Sequence, residues 1–347
     1  MRRAFLVSLM FVLAAAAAWV LTPAVAHAQG QTASGRFSPP RTPWDDPDLQ
    51  GIWPGTESLG IPLQRDPRLG TRNQLTEEEF EQRRAQAQRQ IDAMEAEFDI
   101  ETADTSNAGQ VGSATSPPPH WQERGKPSRQ ASLIIDPPDG RMPALTPQAT
   151  ARYQAIQAAR KGRGAADSYE DRSLYDRCIT RGVMGSILPV IYNNGNEIVQ
   201  APGYVVIRNE MVHEARIVPL DGRPHINAGL HLWMGDSRGR WDGDTLVVET
   251  RNLTGRTGIN QGGNNPHSTE LVITERFQLI DADTLRYEAT LDDPQTWTRP
   301  WTISFPWKRD SKYQMFEYAC HEGNYAMRNL LSGARAEEGN ARREPRR

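Results

Sequence analysis

Glu270-Leu271-Val272-Ile273-Thr274-Glu275-Arg276-Phe277-Gln278-Leu279 decides the fold class of this chain. Leu271, Ile273, Glu275, Phe277 and Leu279 fall on one face. Glu270, Val272, Thr274, Arg276 and Gln278 fall on the other. A period of two marks a β-strand with one face turned to a core. Glu275 breaks the apolar face. A lone buried carboxylate is costly, so it must find a cationic partner or keep its proton.

Similar runs flank this one: Ile198–Gln200, Tyr204–Ile207, Val212–Leu220, Leu230–Met234, Thr245–Thr250, Thr284–Leu291, Trp301–Trp307 and Gln314–Cys320. Asp242-Gly243 has the composition of a tight hairpin turn, and Asp281-Ala282-Asp283-Thr284 echoes it. Short strands joined by turns predict a mainly β domain over 131–333, an antiparallel meander closing into a lipocalin-like barrel. A two-sheet β-sandwich is the second choice. Unbroken alternation from Tyr204 to Ile217 places His213 inside with Val205, Ile207, Asn209 and Met211. Trp301, Ile303, Phe305 and Trp307 form an inward aromatic wall.

Upstream, residues 29–45 are polar and proline-bearing and are expected to be an extended arm. A surface helix from Thr76, closed by a Thr76/Glu79 capping box, and a Pro-, Ser- and Gly-rich linker near 101–130 follow. Leu133–Asp136 is expected as a short strand. A helix near 147–159 carries Pro147 at its first position. The polar segment 334–347 is expected to be a disordered tail.

Residues 1–28 carry Arg2-Arg3, an apolar run and Ala26-His27-Ala28, the three parts of a secretory signal cut after Ala28. No later apolar run reaches the roughly 18 residues of a membrane helix, so no stable anchor is expected after cleavage. The reading is a periplasmic or secreted protein. The two cysteines, Cys178 and Cys320, are then expected to pair, the alternative being two free thiols. A net charge of −3 with scattered signs gives no footprint for nucleic acid.

For function, Glu275 and His213 are the candidate catalytic acid and base. Arg276, His267, His321, Trp301 and Asn324 are candidate substrate contacts. The alternative for Glu275 and His213 is a structural ion pair with an arginine and a hydrogen-bonded imidazole. No His-x-His or His-Glu-x-x-His spacing marks a metal site, and no glycine loop marks an organic cofactor, so neither is expected. Gly235–Asp244 mixes acids with Arg238 and Arg240 and is read as tight turns laced by Asp–Arg contacts.

Gly235-Asp236-Ser237-Arg238-Gly239-Arg240-Trp241-Asp242-Gly243-Asp244-Thr245-Leu246-Val247-Val248-Glu249-Thr250 and Tyr318-Ala319-Cys320-His321-Glu322-Gly323-Asn324-Tyr325 resemble segments shared by a family of exported bacterial proteins. Asp48–Trp53, Pro137–Arg141, Thr274–Phe277 and Arg299–Trp301 extend the resemblance. It implies export to the periplasm and lends no catalytic residues. The expected function is small-molecule handling: acid–base chemistry on a substrate in an aromatic-lined cavity, or non-catalytic binding of an apolar or aromatic ligand.

Overall fold

The computed structural model describes residues 37–97, 123, 125–259, 266–322 and 324–343. The expected leader and its cleavage point, most of the 101–130 linker and the loop 260–265 lie outside the described residues.

The chain is mainly β, and every ladder between its named strands is antiparallel. One sheet runs in the order β1 (Gly51–Ile52), β3 (Asn196–Ala201), β4 (Tyr204–Asn209), β5 (Ala215–Pro219). The other runs β2 (Ile134–Asp136), β10 (Trp301–Lys308), β9 (Thr284–Asp292), β8 (Val272–Asp281), β7 (Thr245–Arg251), β6 (Asp236–Asp242). Four helices are described: α1 (Glu77–Glu97), α2 (Pro147–Arg160), α3 (Gly182–Ile187) and α4 (Ala326–Arg343).

The strand alternation places the core. Val205, Ile207, Val218, Ile273, Phe277, Leu285, Tyr287, Ile303, Phe305 and Trp307 are all at most 1% exposed. They come from both sheets, whose inner faces meet. The expected aromatic wall is present and packs on itself. Tyr287 stacks on Trp307 with centroids 5.1 Å apart, Phe277 lies 5.8 Å from Trp307, and Trp301 meets Trp297 edge-on at 5.4 Å.

Among the described residues the ladders form two antiparallel sheets, without a ladder that closes them into one barrel. β5 and β6 lie side by side as a packing seam. A Cβ on Gly239 would come 2.6 Å from Leu220 and 2.8 Å from Val218. β5 ends at Pro219, which has no N–H to offer a neighbour.

Several segments differ from expectation for local reasons. β5 starts only at Ala215, because Met211–His213 form a tight helical turn with Val212 at φ 60° and His213 at φ 47°. The turn shifts the alternation, so Arg216 and Val218 face inward while Ala215 and Ile217 face out. His213 is therefore exposed, against the expectation. Gly235–Asp244 is not a pair of turns: Asp236–Asp242 is strand β6, and its hairpin to β7 turns at Gly243, φ 59°. Leu230–Met234 makes only an isolated bridge, Leu232 to Leu253, and Gln314–Cys320 is coil held by side-chain bonds and the disulfide. The polar tail continues helix α4 to Arg343. Its Ala, Arg and Glu favour helix, the Asn324 side chain accepts from the Ala326 N–H, and Arg335 donates to the Asp167 carbonyl.

After the segment expected as an arm, residues 46–53 are stitched into the β domain. Leu49 and Trp53 are fully buried, Leu49 N–H donates to Gln200, and Arg309 lies 4.2 Å over the Trp53 ring. The Thr76/Glu79 capping box forms as expected, and α2 starts at Pro147 with Thr146 capping it through the Ala149 N–H.

Candidate functional site

Glu275 points inward as its strand predicts and is fully buried. Its carboxylate is already engaged. Arg216, 2% exposed at its side chain, meets both carboxylate oxygens, with Nη2 2.9 Å from Oε1. Tyr287 donates its hydroxyl to Oε1 at 3.0 Å. This bidentate pair with a third donor is the structural alternative raised for Glu275. It crosses from β5 to β8 and joins the two sheets.

The other candidates scatter. Trp301 is buried in the aromatic core. Arg276 lies on the outer face of β8, paired with Asp242 at 2.8 Å. His321 is exposed. His267 is buried, with Nε2 2.7 Å from Thr257 Oγ1 and Nδ1 2.8 Å from the Ser268 carbonyl. The carbonyl can only accept, so Nδ1 carries the proton and Nε2 accepts from Thr257. Burial lowers the pKa of this imidazole. Glu275 and His213 do not share a site.

His213 and Asn324 instead gather around the disulfide. Cys178 and Cys320 are bonded, with Cα atoms 5.6 Å apart. Asn324 Nδ2 lies 3.1 Å from Cys178 Sγ, and His213 Nδ1 lies 2.8 Å from the Tyr318 carbonyl. The disulfide brings Tyr318, two residues before Cys320, to Tyr175, three before Cys178. Their hydroxyls are 2.8 Å apart, and Tyr175 is 2.7 Å from the Tyr192 hydroxyl. Val190, Met211 and Val212 form the apolar floor beneath the three half-buried rings.

Arg181 completes this cluster. It is 4% exposed, and its guanidinium lies 5.0 Å over the Tyr175 ring. Nε and Nη1 are buried and have no hydrogen-bond partner among the described residues. Glu214 does not neutralise it directly. Its carboxylate accepts instead from Thr180 Oγ1, Ser186 Oγ and the Arg181 backbone N–H. Burial lowers the Arg181 pKa, opposed by the three phenols and Glu214; an arginine nonetheless keeps its charge. Burial pushes the Tyr175 and Tyr318 phenols upward. They stay protonated at neutral pH and serve as hydrogen-bond donors, not bases.

No family model matches the chain, and no curated protein matches it either. The site must therefore speak through its own geometry. Four of the six described non-glycine residues with positive φ lie at this place. Cys178, Asn193, Val212 and His213 all have φ between 47° and 60°, and all border the tyrosine cluster. A β-branched residue such as Val212 rarely accepts that conformation, and such strain concentrates at functional sites. The sequence reading missed Arg181 and the tyrosines. The available signal was Tyr175-x-x-Cys178 and Tyr318-x-Cys320, which a disulfide must bring together.

Proposed function

We propose that the protein is an exported small-molecule binder that takes an aromatic or apolar carboxylate at the Arg181–tyrosine cluster. Arg181 carries this reading: a buried guanidinium with two unsatisfied N–H groups is costly until an anion completes it. The carboxylate would accept from Nε and Nη1, the phenols would donate further hydrogen bonds, and the Val190–Met211–Val212 floor would take the apolar body. The disulfide supports export, since such bonds persist in oxidising compartments. Among the described residues no helix is long and apolar enough to cross a membrane. Binding is favoured over acid–base turnover because Glu275 is held by Arg216 and Tyr287 while His213 stands outside the core.

The test is calorimetric titration of the purified chain with benzoate and with neutral benzamide. Benzoate binds and benzamide does not. Arg181→Met weakens benzoate at least about tenfold, the worth of a charged hydrogen bond, while Arg181→Lys retains part of the affinity. Equal affinity for both probes, or an unaffected Arg181→Met variant, sinks the proposal.

A further inference from the structure

A second group of arginines lies far from these residues in sequence, on a cleft of about 820 Å³ between the loop at 62–69 and helix α1. Arg65, Arg83 and Arg141 all line it. Among the described residues none of the three meets a carboxylate by side chain; each donates to backbone carbonyls. Arg65 Nη1 reaches the carbonyls of Pro138 at 2.6 Å and Gly70 at 3.3 Å. Arg83 Nη1 reaches those of Ser128 at 2.8 Å and Gln130 at 2.7 Å. Arg141 Nη1 reaches that of Arg65 at 3.0 Å. Carbonyls orient the guanidinium groups but do not cancel their charge.

The acids of the cleft are already committed. Asp66 is held by Arg68, with both carboxylate oxygens engaged, and acts on Arg141 only through space; Glu79 is held by Arg72. Asp139 acts on Arg65 only through space, and its Oδ1 accepts from the Arg141 backbone N–H. Arg65 is 2% exposed and its Nε is unpartnered. Gly140, at φ 67°, lets the chain press onto it: a Cβ there would sit 2.7 Å from Nε. Three positive charges thus converge on one opening whose own acids are spent. Buried charge is ordinarily paired, and among the described residues buried Arg65 has no carboxylate at hydrogen-bond distance.

We propose that this cleft is a separate binding site for an organic anion bearing carboxylate or phosphate oxygens. The cleft is many times larger than one inorganic oxyanion, which calls for an organic body. Gln82 and Gln86, one helical turn apart on α1, add amide groups suited to a hydroxylated one. Arginine forks match carboxylate and phosphate oxygens equally well, so the shared chemistry is a paired-oxygen anion.

The experiment is calorimetric titration of the purified chain with citrate, glucose 6-phosphate and inorganic phosphate at fixed ionic strength. Citrate or glucose 6-phosphate is expected to bind at least about tenfold more tightly than inorganic phosphate. The tighter of the two tells a carboxylate from a phosphate ligand. Arg83→Gln and Arg141→Gln, each checked for an unchanged far-UV spectrum, lower that affinity by at least about tenfold, whereas Arg181→Met leaves it unchanged. The idea is overturned if neither organic probe binds, if inorganic phosphate binds as tightly, or if both cleft variants that fold keep full affinity. Loss in Arg181→Met alone would overturn it too, by assigning the anion to the tyrosine cluster.

Discussion

Glu275 shows how one residue's place in a strand and its chemistry can come apart. The alternation of β8 is enough to turn it inward. What it does there depends on Arg216, 59 positions away in sequence. With both side chains nearly inaccessible, removing one charge strands the other. Glu275→Gln is expected to destabilise the protein by about 3–5 kcal/mol, measured as a lower urea midpoint. The benzoate affinity of the variant that remains folded should stay unchanged. A variant of full stability that had lost benzoate binding would return Glu275 to the functional site. Arg181 is the converse case. Nothing in its local sequence marks it, yet burial without a partner sets it apart.

At the scale of elements, loops and turns account for most departures from the strand reading. The turn at Met211–His213 changes the phase of β5, because two residues with positive φ advance the chain without preserving the pleat. The connection into β8 is set by His267, locked between Thr257 and Ser268, with Ser268 bonded to Asp293 at 2.7 Å through both its N–H and its hydroxyl. Burial lowers the His267 pKa below its usual 6.5. Above that value the imidazole is neutral in both the folded and unfolded chain, and its full contribution is present. As pH falls below it, the unfolded chain takes up a proton that the folded one resists, so stability is lost. Urea midpoints at about pH 7.5 and about pH 5.5 should differ more in the native chain than in His267→Gln. Equal differences would show that this histidine carries none of the dependence.

For the whole molecule, the Cys178–Cys320 bond joins the segment before α3 to the segment after β10. It closes a loop with a sequence separation of 142. Chain entropy assigns a loop of this size about 5 kcal/mol. Cys178→Ser with Cys320→Ser is expected to lower the urea midpoint by a corresponding amount and to weaken benzoate, because Tyr318 is no longer held against Tyr175. Unchanged affinity in the folded double variant would separate the disulfide from the site.

The sequence by itself determined the inward faces of β8 and β10, the hairpin at Asp242-Gly243, the cap of α1, the start of α2 at Pro147 and the pairing of the two cysteines. Each follows from residues close in the chain or from a choice with a single partner. Only the tertiary structure decided that the strands divide into two ladders, that His213 turns outward, that Arg216 meets Glu275 and that Arg181 has two N–H groups without a partner among the described residues, beside the tyrosines. These outcomes depend on which distant side chains share a volume. Strand periodicity specifies the face a residue takes, but not what waits on the other side.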